Sequence, residues 1–146
     1  MRARPGTRRT GPAQRGVAAV EFALIAILLF TLMLGAAEVA RVLWLWNAAA
    51  EATRFGARMA VVCDLGDSDI KARMRERLVD LADNNITLSY QPAGCSASTC
   101  TSVTVSLTGY TAATFIPLAD FSPALPAFRT TLPREYMASA GNPACL

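Results

Sequence analysis

The side chains that carry out most enzymatic chemistry are scarce in this sequence. It contains no histidine, and it has no nucleophile-elbow motif, phosphate-binding loop or carboxylate pair with recognisable spacing. The reactive groups that remain are four cysteines and one carboxylate inside a long apolar run. We therefore expect a protein without catalysis, cofactor, metal or small-molecule substrate, in which these groups serve structure and interaction.

The cysteines are Cys63, Cys95, Cys100 and Cys145, and all of them follow the apolar run. An even number of cysteines on one side of a membrane segment is typical of disulfides in an oxidising compartment. A zinc site is the alternative, but it would have no histidine ligand and only one closely spaced cysteine pair. We expect disulfides, and the sequence allows Cys95 to pair with Cys100 and Cys145 with Cys63 without fixing the connectivity.

Two segments near the cysteines alternate apolar and polar residues, as half-buried strands do. They are ITLSYQ at residues 86–91 and SVTVSLT at residues 102–108. A hairpin with Cys95 opposite Cys100 places the apolar residues of both strands on one face. That register pairs Tyr90 with Val105 and Leu88 with Leu107.

The carboxylate of the apolar run is Glu21, the fifth residue after Gly16 in the stretch QRGVAAVEFALIA. A charged side chain at the centre of a membrane helix costs about 2.5 to 3.5 kcal/mol on insertion scales, so such residues are candidates for function. An ordinary explanation also exists, because Glu21 lies close enough to the start of the run at Val17 to reach lipid headgroups, and a helix N-terminus favours a carboxylate.

The run from Val17 to Ala37 is long and apolar enough to cross a bilayer. As a helix its 21 residues would extend for about 31 Å. Residues 1–16 form a basic leader without regular structure, and it holds five arginines, Arg2, Arg4, Arg8, Arg9 and Arg15. This arrangement predicts a bacterial inner-membrane protein with a cytoplasmic N-terminus and a periplasmic or extracellular C-terminal part, in contact with membrane lipid.

The net charge of +3 comes from the leader. The other nine basic residues are outnumbered by 11 acidic ones, so the rest of the chain carries no basic footprint for nucleic acid.

No helix breaker follows Ala37 until about Val62, so we predict one helix of about 45 residues, near 68 Å long. One face of its second half is polar and should be solvated: Asn47, Glu51, Arg54 and Arg58. The opposite face is made of small residues suited to close packing: Ala49, Ala52, Gly56 and Ala60. Trp44 and Trp46 follow the apolar run, where indoles favour the membrane interface, although both could be ordinary core residues.

The remaining residues predict a small domain. Asp67 or Ser68 begins a second helix that runs to about Asp83, with an inward stripe of Ile70, Met74, Leu78 and Leu81. Prolines after Gly109 leave only a short edge strand at residues 128–132. The predicted fold class is α+β, with a leader (1–16), a transmembrane helix (17–37), its extramembrane continuation (38–62) and a disulfide-bearing domain (63–146).

The stretch around Gly16 resembles a known family. The spacing from Gly16 through Val17 to Glu21 and Phe22 is similar to a class III prepilin peptidase site. Together with the later WNAAAEATRFGAR, the run RGVAAVEFALIA resembles the TadE-like pseudopilins of the tight adherence (Flp pilus) system. The resemblance covers about residues 14–62.

The resemblance implies cleavage after Gly16 by a membrane aspartyl peptidase, which exposes Val17 as a new N-terminus. It also implies a role as a minor pseudopilin or assembly factor with other pilins or pseudopilins as partners, and pairing of Glu21 with a neighbour's Val17 ammonium. Many relatives have proline where Ile27 stands and glutamate where Phe55 stands, so a kink and a surface charge there are not implied.

A secreted or membrane-anchored binding module behind a conventional signal peptide is the alternative. Small residues that could form its cleavage site are Gly35, Ala36, Ala37 and Ala40. The mature N-terminus distinguishes the two hypotheses, since the first predicts Val17 and the second a start near residue 38.

Overall fold

The computed structural model describes residues 14–114 and 122–145. The helices and strands are α1 (Gln14–Ala60), α2 (Ser68–Arg77), β1 (Ile86–Gln91), β2 (Ser102–Leu107) and β3 (Phe128–Pro133), with 3-10 turns at Asp83–Asn85 and Pro143–Cys145. This is the α+β class that the sequence predicts. The chain divides into two compact units, Met1–Ala37 and Glu38–Leu146.

Helix α1 forms because no proline interrupts the sequence between Pro12 and its end. The prediction that regular structure is absent through Gly16 is wrong for its last three residues, because α1 already begins at Gln14. A single glycine in a helix costs only about 1 kcal/mol relative to alanine, which the flanking helix formers offset. Residues 1–13 of the predicted leader lie outside the described residues.

The second half of α1 buries the small face and exposes the polar face, as predicted. Ala49, Ala52 and Ala60 are fully buried, whereas Glu51 and Arg58 are exposed. Small residues are needed here because α2 lies so close that a Cβ added at Gly56 would overlap the Met74 side chain. The helix ends at Ala60, two residues before the predicted end, and the amides of Val62 and Cys63 both donate to the carbonyl of Met59.

Helix α2 begins as predicted, with Asp67 as its N-cap. The Asp67 carboxylate accepts a hydrogen bond from the amide of Asp69 at 3.0 Å. The predicted end near Asp83 is wrong, since the helix stops at Arg77 and Leu78 is extended. The whole predicted apolar stripe is nevertheless buried, namely Ile70, Met74, Leu78 and Leu81. Helical spacing therefore did not reveal that the chain leaves the helix before the last two of these residues.

The three strands form one antiparallel sheet in the order β1-β2-β3, so β3 lies at an edge of the sheet, as the prolines predicted. The predicted hairpin register is wrong by two residues, because Tyr90 pairs with Val103 and Leu88 with Val105. The observed register places buried Ile86 opposite buried Leu107. A shift of two residues leaves every side chain on the same face, so the alternation of apolar residues is equally satisfied by both registers.

Both disulfides allowed by the sequence are present. Cys95 joins Cys100 within the β1–β2 connection, and Cys63 joins Cys145 across a sequence separation of 82. The segment before Cys145 also bonds to the end of α1, since the amides of Glu135 and Ala138 donate to the carbonyls of Val61 and Val62. The C-terminal segment thus supplies partners for carbonyls that follow the last turn of α1.

Candidate functional site

In the first unit, the apolar part of α1, up to Ala37, is not packed against any other described part of the chain, and we call it the uncovered helix. The most apolar 18-residue window of α1 has a mean hydropathy of 2.6 and none of its residues is buried. Phe22 is 74% exposed and Ile25 is 67% exposed. Among the described residues this is the one helix that is long and apolar enough to cross a membrane. Such an apolar surface requires lipid or other apolar helices around it.

The residues of the predicted processing site, Gly16, Val17, Glu21 and Phe22, all lie near the start of this uncovered helix. Val17 is 60% exposed, and Glu21 is also exposed. Apart from the adjoining residues and backbone of α1, no heavy atom lies within 4 Å of a Cβ built on Gly16. Outside α1 itself, no described part of the chain therefore packs against Gly16, and the side chains of Val17, Glu21 and Phe22 are exposed.

Glu21 differs from the other polar side chain of the apolar run. The Thr31 hydroxyl donates to the carbonyl of Ile27 at 2.8 Å, so its polarity is satisfied inside its own helix. Within residues 14–114 and 122–145, the Glu21 carboxylate makes no salt bridge. Since none of these residues supplies a cation to it, the Glu21 carboxylate is available to a cation from elsewhere.

An ion pair follows the apolar run at the start of the second unit. Arg41 contacts the Glu38 carboxylate at 2.5 Å, and it also donates to the carbonyl of Ala113. The hydrogen bond with Glu38 raises the pKa of Arg41 above its ordinary value. Sequence reasoning did not single out this pair, although its spacing of three residues on a helix is a recognisable signal.

A cleft of about 410 Å³ lies in the second unit beside this ion pair. We call it the Trp44 cleft, after Trp44, and its other lining residues include Arg41, Val79, Asp80 and Tyr110. The Tyr110 hydroxyl donates to the carbonyl of Val79 at 2.8 Å, which fixes the loop after α2 against the cleft. Burial raises the pKa of Tyr110, and the nearby Asp80 carboxylate raises it further.

The two tryptophans are not core residues, which excludes the ordinary alternative given for them. Trp44 is 58% exposed and Trp46 is 45% exposed. Trp46 makes an edge-to-face contact with Phe128 of β3, with ring centroids 5.6 Å apart. Trp44 is therefore the more available of the two indoles.

The described part of the chain contains no cluster of three or more histidine, cysteine or acidic residues that could hold a metal ion. Neither the comparison with curated proteins nor that with solved structures found a match. A model of the TadE-like protein family, a pilus-associated structural family rather than an enzyme family, matches residues 16–58. The matched residues include most of α1, both its exposed apolar part and its continuation in the second unit. The match confirms the resemblance inferred from the sequence. It suggests involvement in Tad pilus systems, with other pilus components as partners.

Proposed function

We propose that this chain is a minor pseudopilin or assembly factor of a Flp/Tad type IV-like pilus. It is anchored in the bacterial inner membrane by residues 17–37, and it works by association of this helix with the helices of other subunits. The observation that carries the proposal is an apolar helix without any buried residue in its most apolar window, preceding a folded disulfide-bearing domain. The apolar surface of this helix is not buried by the described part of its own chain, so it requires a partner helix or a bilayer to remove it from water.

In this proposal the arginine-rich leader stays in the cytoplasm and the C-terminal domain lies in the periplasm or outside the cell. Two observations support this orientation. Five arginines precede residue 17 without an acidic residue among them, and positive charge is retained on the cytoplasmic side. Both disulfides lie after the apolar run, where an oxidising compartment would maintain them.

A membrane prepilin peptidase cleaves after Gly16 in this account. The uncovered surroundings of Gly16 and the exposure of Val17 and Phe22 support access by such an enzyme. Cleavage removes the basic leader and leaves an ammonium group on Val17. The new charge lies four residues before Glu21 on the same helix.

The Glu21 carboxylate of one subunit then pairs with the Val17 ammonium of its neighbour. Two opposite charges 4 Å apart attract each other by about 1 kcal/mol in water and by about 4 kcal/mol at an effective dielectric constant of 20. An unpaired carboxylate among apolar helices would be penalised instead. The pair thus favours one axial register between neighbouring helices over registers that leave Glu21 alone.

The processing step is tested by expressing the chain with and without a prepilin peptidase and mapping its N-terminus by mass spectrometry. Gly16→Val should abolish peptidase-dependent cleavage. Gly35→Val is the matched control, because a Cβ at either glycine meets no heavy atom within 4 Å beyond the adjoining residues and backbone of α1. Cleavage that survives Gly16→Val but is lost with Gly35→Val would support a conventional signal peptide and overturn the proposal.

The pairing step is tested with Glu21→Gln, which keeps the size of the side chain and removes its charge. We expect the fraction of this variant that is cleaved after Gly16, as identified by N-terminal mapping, to lose most of its co-purification with other pilus subunits. Glu51→Gln is the control, since Glu51 is an exposed carboxylate on the same helix. Normal assembly of Glu21→Gln would show that no essential ion pair forms at this position.

A further inference from the structure

The Trp44 cleft exposes apolar side chains from two separate segments of the chain. Trp44 belongs to α1 and is 58% exposed, and Val79 follows α2 and is 62% exposed. Both line the same cleft. Trp44 comes seven residues after Ala37, where the apolar run ends. An exposed indole so soon after a membrane segment in sequence is typical of contact with the bilayer surface, and Val79 adds an exposed aliphatic group to the same cleft.

The charge in the cleft is not balanced. Arg41 is occupied by the Glu38 carboxylate at 2.5 Å and by the carbonyl of Ala113. Asp80 is exposed, and its carboxylate makes no salt bridge within the described ranges. The cleft therefore presents one uncompensated carboxylate near an exposed indole. A carboxylate and an aromatic face together form the environment that binds an organic ammonium group.

We propose that the Trp44 cleft docks on the phospholipid surface and that Asp80 and Trp44 bind the ammonium group of an amine-bearing headgroup of the phosphatidylethanolamine type. The inference rests on the membrane anchoring in the proposed function and adds a second lipid contact to it. Val79, which is 62% exposed in the same cleft, supplies an apolar contact to the lipid. The cleft volume of about 410 Å³ lies within the range of about 300 to 1,000 Å³ that is usual for small-molecule sites.

The backbone at Asp80 allows a clean test of its charge. Asp80 has a φ of 59°, a left-handed conformation that asparagine tolerates as well as aspartate does. Asp80→Asn therefore removes the charge without disfavouring the backbone. Glu135→Gln is the matched control, because Glu135 is an exposed carboxylate that lines a different groove, with Arg58 and Leu132.

The experiment uses the full chain with Trp46→Phe, which keeps an aromatic ring at the contact with Phe128. Since the sequence has two tryptophans, Trp44 is then the sole indole reporter. The protein is reconstituted into vesicles of phosphatidylglycerol alone or of equal parts phosphatidylglycerol and phosphatidylethanolamine, each with the same fraction of headgroup-spin-labelled lipid. We expect stronger quenching of Trp44 fluorescence with phosphatidylethanolamine. Asp80→Asn should remove this increment, and Glu135→Gln should retain it.

Absence of quenching in both kinds of vesicle would overturn the docking of the cleft on lipid. Equal quenching in the two, or an increment that persists in Asp80→Asn, would overturn the assignment of Asp80 as the ammonium ligand. A protein that keeps the leader would overturn the proposed processing but leave the quenching result unchanged, because the leader takes no part in the cleft and the membrane helix is retained. The two failures are therefore distinguishable.

Discussion

Removal of the long-range disulfide should destabilise the domain far more than removal of the local one. In the chain-entropy model, a disulfide lowers the conformational entropy of the unfolded chain, and the reduction grows with the logarithm of the number of residues in the loop that it closes. The sequence separations are 82 for Cys63–Cys145 and 5 for Cys95–Cys100. The model then gives about 4.5 kcal/mol for the first bond and about 2 kcal/mol for the second.

The structure gives a further reason for the same order. Cys63 is fully buried and Cys145 is 3% exposed, and their bond holds the segment whose amides donate to the carbonyls of Val61 and Val62. Loss of this bond weakens those hydrogen bonds, whereas Cys95 lies in a connection whose strands remain paired through the β1–β2 ladder. Alanine replaces both cysteines of a pair, so that no unpaired thiol remains.

The assay is urea unfolding of the full chain in detergent micelles, followed by near-ultraviolet circular dichroism. We expect the Cys63→Ala/Cys145→Ala double variant to lose at least about 2 kcal/mol more than the Cys95→Ala/Cys100→Ala double variant. Non-reducing peptide mapping of each variant confirms that the other disulfide is intact. Equal losses, or a larger loss for the local pair, would refute this reasoning.

Two further predictions concern packing and pH. Gly56→Val should destabilise the domain by about 1 to 3 kcal/mol, because the added side chain must displace buried Met74. Gly35→Val should change the free energy of unfolding little in the same assay. Equal effects of the two substitutions would contradict the close contact of α1 and α2. Burial raises the pKa of Tyr90, and the hydrogen bond from the Gly66 amide only partly opposes this shift. The neutral phenol is therefore favoured in the folded state, so its contribution is present below pH 10 and is lost as the pH rises through the folded pKa. The free energy of unfolding should fall less steeply above pH 10 in Tyr90→Phe than in the parent, and an unchanged slope would exclude this effect.

The parts of the fold that follow from periodicity were predictable from the sequence. The strand β1 has the predicted bounds, and β2 and β3 differ from prediction by one residue at one end. The two faces of α1 also follow directly from a helical period. Register was not predictable, since alternation has a period of two and a slip of two residues preserves every face. The end of α2 was missed because Leu78 and Leu81 remain buried after the helix has stopped.

Only some residues of the candidate site could likewise be predicted from the sequence. Gly16 and Glu21 could be identified because they stand out against an apolar run in one stretch of sequence. The Trp44 cleft could not, because Trp44, Asp80 and Tyr110 come from three distant segments. Their proximity depends on tertiary packing, which includes the hydrogen bond from the Tyr110 hydroxyl to the loop after α2.

The central claim is that cleavage after Gly16 exposes the Val17 amine, which pairs with Glu21 of a neighbouring subunit. Intact-mass and N-terminal analysis of the protein purified from its native host tests this claim most directly. The account predicts a chain that begins at Val17 and retains both disulfides. A chain that keeps the arginine-rich leader, or one that begins near residue 38, would contradict it.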